Sequence, residues 1–175
     1  MESEQDREVG DLRGGEAEAT TSDTLSLVIF RLGERWYALP TVVVKEVAEV
    51  GAIRSIPQRS SAVLLGLVNL RGVLYLCVSL DALLGRSGEA LRPRVENSSG
   101  PARLVVVEDE RERWVFPVDE VSGVFHFLLT EIQAIPARLT EDEALAIKGI
   151  VPWQERSVSC MDEKVLFNTL RGRIS

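Results

Sequence analysis

The feature that most constrains this chain is an internal repeat. Residues 34–47, ERWYALPTVVVKEV, resemble residues 112–124, ERWVFPVDEVSGV, in their Glu-Arg-Trp and the valine-rich stretch that follows. Residues 66–84 and 149–166 form a second pair in the same order, with a glycine and a cysteine at matching places. The matching positions are Gly66 with Gly149 and Cys77 with Cys160, at one offset of 83 residues. The repeat predicts two similar halves that share a core.

Short apolar runs separated by turn residues indicate a mainly β fold. LSLVIFRL and GERWYAL predict two strands joined at a glycine, and IKGIVPWQERSVSCM predicts strand, turn and strand. In RLVVVEDERERWVFPV the central EDERE predicts a hairpin turn. SLDALLG predicts a short helix that ends at Gly85, and DEKVLFNTLRG predicts a helix from Asp162 to Gly172. Residues 128–146 indicate only a loop with a helical turn.

Composition divides the chain into a tail and a folded part. Residues 1–24 carry a local charge of −6 out of a total of −7 and few large apolar residues, which predicts a disordered acidic tail. An acidic docking tail is the alternative, and the segment resembles neither a signal peptide nor a transit peptide. We expect one domain over residues 25–170, with a first half at about 25–85 and a second at about 103–170. Residues 86–102, polar and rich in Gly, Pro and Ser, are predicted to link them.

A mostly apolar run from residue 62 to residue 84 is long enough to span a membrane. It contains Asn69 and Arg71, and its repeat partner is too polar to span a bilayer, so it is predicted to form two buried strands around a turn. An arginine buried there needs a carboxylate, and Glu46 is the lone acid inside VVVKEV. We expect a Glu46–Arg71 pair, with Asn69 fixing the turn. The alternative places the Arg71 head group in solvent at a strand end.

Candidate catalytic residues are few. The one histidine, His126, lies between two phenylalanines, and Cys77 and Cys160 lie in apolar segments typical of buried reduced thiols. No phosphate-binding glycine loop and no Cys-x-x-Cys occurs, so the sequence implies no cofactor and no metal. The sequence has no cluster of basic residues that would favour binding to nucleic acid. A non-enzymatic protein is expected, and a small β-barrel enzyme that pairs His126 with a cysteine is the alternative.

Four segments, in order from about residue 25 to residue 170, resemble the family of CheW-like coupling proteins. GLVNLRGVLYLCVSL is similar to the family's Asn-Leu-Arg-Gly turn and the strand after it, and ERWYALPTVVVKEV to its first strands. FPVDEVSGV and IKGI resemble two later segments. The resemblance implies two similar five-stranded β-barrels around a common core. It also assigns six residues to surfaces that face receptor or kinase. These residues are Val44, Glu46, Gly66, Asn69, Arg71 and Gly72.

The resemblance implies an adaptor without catalytic activity. Family members join the cytoplasmic tips of methyl-accepting chemoreceptors to the regulatory domain of a CheA-type histidine kinase, and they also contact other CheW-like proteins. A cytoplasmic protein recruited to receptor arrays is therefore expected, without insertion into the membrane. Leu76 and Ser79 stand where the family commonly has Pro and Asp. These departures and the acidic tail point to a chemotaxis-like pathway with its own receptor and kinase.

Overall fold

A computed structural model describes residues 23–58, 61–86, 102–135 and 139–174. Across these residues the chain forms eleven strands, three α-helices and one turn of 3-10 helix at Leu129–Glu131. The strands are β1 (Thr24–Leu32), β2 (Arg35–Pro40), β3 (Val44–Glu49), β4 (Ile53–Arg54), β5 (Leu64–Leu70), β6 (Val73–Val78), β7 (Arg103–Glu108), β8 (Arg113–Val118), β9 (Glu120–Leu128), β10 (Ile147–Trp153) and β11 (Arg156–Met161). The helices are α1 (Leu80–Leu83), α2 (Glu141–Ala146) and α3 (Glu163–Ile174).

The strands form two sheets in which equivalent strands follow the same order. The five-stranded sheet runs β10-β11-β2-β1-β9, and the six-stranded sheet runs β4-β5-β6-β8-β7-β3. When β1, β2, β3, β5 and β6 are matched with β7, β8, β9, β10 and β11, the two orders become identical and β4 is the additional strand. The predicted mainly β fold of two similar units is thus confirmed. Among the described residues the end strands of a sheet do not pair with each other, so the barrels are not closed by hydrogen bonds.

Each sheet combines strands from both halves of the sequence. The parallel pairs β2–β11 and β6–β8 join the halves, with Trp36 opposite Val158 and Leu76 opposite Trp114. One half therefore supplies parts of both sheets. The predicted tail and linker fall largely outside the described residues, since residues 1–22 and 87–101 are not among them.

Most of the core lies between the two sheets, and each sheet also surrounds a smaller cluster of its own. On β7, Val105 and Val107 pack into the shared core, while Leu104 and Val106 pack into the cluster of the six-stranded sheet. All four are fully buried. Successive side chains of a strand point to opposite faces, so a strand covered on both faces is a continuous apolar run. This explains the continuous apolar runs within RLVVVE on β7 and LVIF on β1.

The apolar run of residues 62–84 folds as the hairpin of β5 and β6 followed by α1, as predicted. Gly66 pairs with Cys77 across this hairpin, and Gly149 pairs with Cys160 across the hairpin of β10 and β11, which confirms the matched positions of the repeat. No helix within the described residues is long and apolar enough to cross a membrane.

The predicted start of the closing helix is confirmed, whereas its predicted end is wrong. Asp162 Oδ1 accepts hydrogen bonds from the backbone N of Lys164 at 3.0 Å and of Val165 at 3.2 Å, as an N-terminal cap does. The helix α3 continues through Gly172 to Ile174. Ile174 packs against the shared core, and this contact favours the extra turn over a glycine stop.

Candidate partner-binding surface

The hairpin of β5 and β6 ends in a tight turn, which we call the hairpin tip. Its central residues, Arg71 and Gly72, have φ angles of 53° and 84°, as a two-residue hairpin turn of type I′ requires. Asn69 Oδ1 accepts a hydrogen bond from Gly72 N at 2.8 Å. The turn-fixing role predicted for Asn69 is therefore confirmed, and a regular hairpin presents the tip.

Arg71 reaches from the tip to Glu46 on β3. Arg71 Nη2 lies 2.8 Å from Glu46 Oε1, which confirms the predicted pair. The Arg71 side chain is 83% exposed, so the alternative of a head group in solvent also holds. Glu46 Oε1 is buried and has no aligned hydrogen bond, so the contact is an ion pair at the rim of the sheet. Because β3 ends the six-stranded sheet and β5 lies next to its other end, the pair draws the two ends together.

A second ionic group lies beside this pair and joins β3 to β7 and β8. Lys45 Nζ is 2.8 Å from Glu108 Oε2, and Arg113 Nε is 3.0 Å from Glu108 Oε1. Hydrogen bonds from Lys45 and from Arg113 lower the pKa of Glu108 below its ordinary value. Their side chains are 33–44% exposed. They are exposed, so they stabilise the fold only weakly.

The two residues directly after the turn are apolar and exposed to solvent. Val73 is 47% exposed and Leu74 is 64% exposed. Leu74 borders a groove of about 520 Å³ beside the turn between β7 and β8, and a second groove of about 490 Å³ over β4 and β5. Exposed apolar side chains next to grooves are typical of surfaces that bind other proteins. The hairpin tip is therefore the candidate partner-binding surface.

Four of the six predicted site residues come together at this tip, and two do not. Glu46, Asn69, Arg71 and Gly72 belong to it, as described above. Gly66 is buried inside β5, where a Cβ would overlap the carbonyl oxygen of Arg54. Val44 packs partly against the shared core. Gly66 and Val44 therefore support the surface from within.

The sequence interpretation missed a buried charged cluster around Glu143. Glu143 is 1% exposed, and its Oε1 accepts hydrogen bonds from Arg35 Nη1 at 2.7 Å and Tyr37 OH at 3.0 Å. Thr140 N donates to its Oε2 at 3.2 Å. Burial opposes ionisation of Glu143, but the hydrogen bonds from Thr140, Tyr37 and Arg35 outweigh it, and the net pKa is lowered. The Thr-x-x-Glu spacing at the start of α2 is a capping box, and this local pattern could have identified Glu143 from the sequence.

The structure does not bring the cysteines and the histidine together. Burial raises the pKa of Cys77 to about 12 and that of Cys160 to about 11. Cys160 packs with Phe127, whereas His126 projects from the opposite face of β9 and its Nδ1 lies 2.7 Å from Ser26 Oγ. A nucleophilic thiol needs a lowered pKa and an adjacent base, and neither cysteine has them here. Among the described residues no group of His, Cys, Asp and Glu could hold a metal ion.

Comparison with known proteins agrees with the fold. The model of the CheW-like domain family matches residues 26–171. The chain is 23% identical over 147 residues to the chemotaxis protein CheW of Helicobacter pylori, covering 84% of each chain. It is 26% identical over 144 residues to a probable chemotaxis protein CheW of Rhizobium etli, covering 81% of this chain and 86% of the relative.

The fold also has a counterpart among solved structures. The crystal structure of the scaffolding protein TtCheW from Thermoanaerobacter tengcongensis matches with a TM-score of 0.65. The match covers 79% of this chain and 84% of that chain at 24% sequence identity. At that identity the likeness establishes the fold.

Proposed function

The chain belongs to the family of CheW-like domains, and we propose that it is a non-catalytic adaptor that couples chemoreceptors to a CheA-type histidine kinase. Its relatives are chemotaxis proteins, so a scaffold role in chemotaxis is its broad function. The proposed partners are the cytoplasmic tip of a methyl-accepting receptor, the regulatory domain of the kinase and other CheW-like proteins. The proposed place of action is the cytoplasm, at receptor arrays.

The observation that carries the proposal is the hairpin tip. A type I′ turn fixes Arg71 and Gly72, and Val73 and Leu74 follow them into solvent. Arg71 keeps most of its surface exposed while its guanidinium is oriented by Glu46. A partner can therefore bury apolar side chains and meet an oriented cation without much loss of side-chain entropy. Preorganisation of this kind increases affinity for a given buried area.

The test is binding of the purified full chain to the regulatory domain of a CheA-type kinase from the same cell, measured by calorimetry. Saturable binding that Arg71→Glu weakens at least tenfold, with the melting temperature retained, is the expected result. Lys164→Glu is the matched control, since it makes the same charge change at an exposed position of α3 outside the tip. Absence of binding to every such kinase in that cell would refute the coupling function and leave the fold standing.

A further inference from the structure

The groove over β4 and β5 combines an apolar floor with a cationic rim. Its apolar lining includes Ile56, Pro57, Leu67 and Leu74, and Arg54 stands at its edge. Among its described lining residues none is acidic. We call it the arginine groove. It adjoins the candidate surface, because Asn69 and Leu74 belong to both.

The charge of the arginine groove is not neutralised from within the described residues. Arg54 is exposed on β4, and no carboxylate of the described chain forms an ion pair with it. Arg71, at the adjacent tip, has one partner in Glu46 and leaves 83% of its side chain in water. An occupant that carries both acidic and apolar side chains would complement the groove.

The chain itself carries such a segment at its N-terminus. Residues 1–22 contain seven acidic residues and two arginines. Within them, Glu8-Val9-Gly10-Asp11-Leu12 places two apolar side chains three residues apart, each directly after an acid. Fully extended, a segment of this length spans roughly 70 Å, against a radius of gyration of about 15 Å for a domain of this size. The segment can therefore reach the groove from the start of β1.

We propose that residues 1–22 bind the arginine groove of their own chain, with Val9 and Leu12 on its apolar floor and the acids beside Arg54. Bound there, the segment masks the hairpin tip from partners. The masking rests on the adaptor function proposed above, whereas the binding itself does not. This proposal gives a specific site to the acidic docking tail that the sequence analysis named as an alternative.

Because the segment and the groove belong to one chain, weak contacts are sufficient for the segment to occupy the groove. A segment joined by a short flexible connection is present at an effective concentration on the order of 1 mM. A segment with an intrinsic dissociation constant of about 0.1–1 mM then occupies the groove half of the time or more, and reduces the apparent affinity of a competitor by roughly twofold to tenfold. The charged part of the contact is exposed, so about 1 M salt is expected to weaken it.

The test places a nitroxide on the thiol introduced by Gly10→Cys in the isotope-labelled full chain and measures paramagnetic relaxation of the backbone amides. Cys77 and Cys160 are buried and leave the new thiol as the one that reacts. Enhanced relaxation is expected at Leu67, Asn69 and Leu74. Arg54→Glu should abolish it, and Lys164→Glu, with the same charge change outside the groove, should leave it intact.

Three outcomes would overturn the proposal. These are no enhancement, enhancement confined to another face, and enhancement at the groove that Arg54→Glu leaves unchanged. A mixture of nitroxide-labelled chain without isotope and isotope-labelled chain without nitroxide identifies the occupant. Enhancement in that mixture would mean that a second copy fills the groove, which also overturns binding within one chain.

A second measurement separates this proposal from the adaptor function. The full chain with Glu8→Gln and Asp11→Asn should bind the kinase regulatory domain roughly twofold to tenfold more tightly than the unchanged chain. Equal affinity would overturn the masking. Failure of both chains to bind the kinase would overturn the adaptor function, while the relaxation measurement on the isolated chain would still decide the binding of the segment.

Discussion

Gly66 and Gly149 each lie opposite a buried cysteine in their hairpins, and each lies against a neighbouring antiparallel segment of the chain. A Cβ at Gly66 would overlap the carbonyl oxygen of Arg54 on β4. A Cβ at Gly149 would press on the Ile132 side chain and lie 3.1 Å from the Gln133 carbonyl oxygen. Gln133 pairs with Ile150 of β10, as Arg54 pairs with Leu67 of β5. The repeated glycines therefore admit a short additional segment at the edge of each sheet.

Gly66→Ala is expected to destabilise the protein more than Gly149→Ala. Gly66 has a φ of +147° and faces rigid backbone, so strain and overlap together should cost about 2–5 kcal/mol of unfolding free energy. At Gly149 the nearest atom belongs to a side chain that can move, and about 1–2 kcal/mol is expected. Denaturant unfolding measures both. Gly172→Ala, with open space around it in α3, is the control and should be neutral or stabilising by up to about 1 kcal/mol.

Replacing Glu143 is expected to destabilise the fold strongly. Glu143→Ala leaves the Tyr37 hydroxyl without its acceptor and removes the partner of Arg35, which should cost about 3–5 kcal/mol of unfolding free energy. Glu141→Gln, an exposed change in the first turn of the same helix, should cost less than about 0.5 kcal/mol. Equal losses in the two variants would show that the buried cluster contributes nothing beyond helix formation.

The same carboxylate predicts a loss of stability in acid. The folded pKa of Glu143 lies below its ordinary value of 4.5, so its contribution is complete above that pH and is lost as the pH falls through the folded pKa. The unfolding free energy of the unchanged chain should therefore fall below about pH 4.5 more steeply than that of Glu143→Gln. Parallel curves for the two proteins between about pH 5 and pH 3 would contradict the lowered pKa.

The sequence predicted the parts of the fold that depend on local pattern. Apolar runs and turn residues predicted the hairpins, and Glu46, the lone acid inside VVVKEV, was predicted as the partner of Arg71. Parallel pairing of β2 with β11 was not predicted, because residues so far apart leave no local periodicity. Glu143 was missed for the same reason, since Arg35 is 108 residues away. The two-residue strand β4 was not predicted, because it depends on the space that Gly66 leaves beside Arg54 as well as on the packing of Ile53.

The Glu46–Arg71 pair is expected to contribute little to stability. Arg71 is 83% exposed, and exposed ion pairs contribute about 0–1 kcal/mol. A double-mutant cycle with Glu46→Gln and Arg71→Gln, followed by thermal unfolding, should give a coupling energy within that range. A coupling energy above about 2 kcal/mol would make the pair part of the scaffold, and loss of partner binding in Arg71→Glu would then reflect a changed fold.

The two cysteines are expected to be inert in the folded protein. Burial raises their pKa values to about 12 and about 11, so the thiolate fraction near pH 8 is below about one per cent and access is blocked. A thiol reagent added at that pH should label neither cysteine until denaturant unfolds the chain, and both afterwards. His126→Ala, which removes only the exposed contact with Ser26, should not change this pattern. Rapid labelling of one native cysteine that His126→Ala slows would instead support the Cys–His enzyme, because an activated thiol depends on its base.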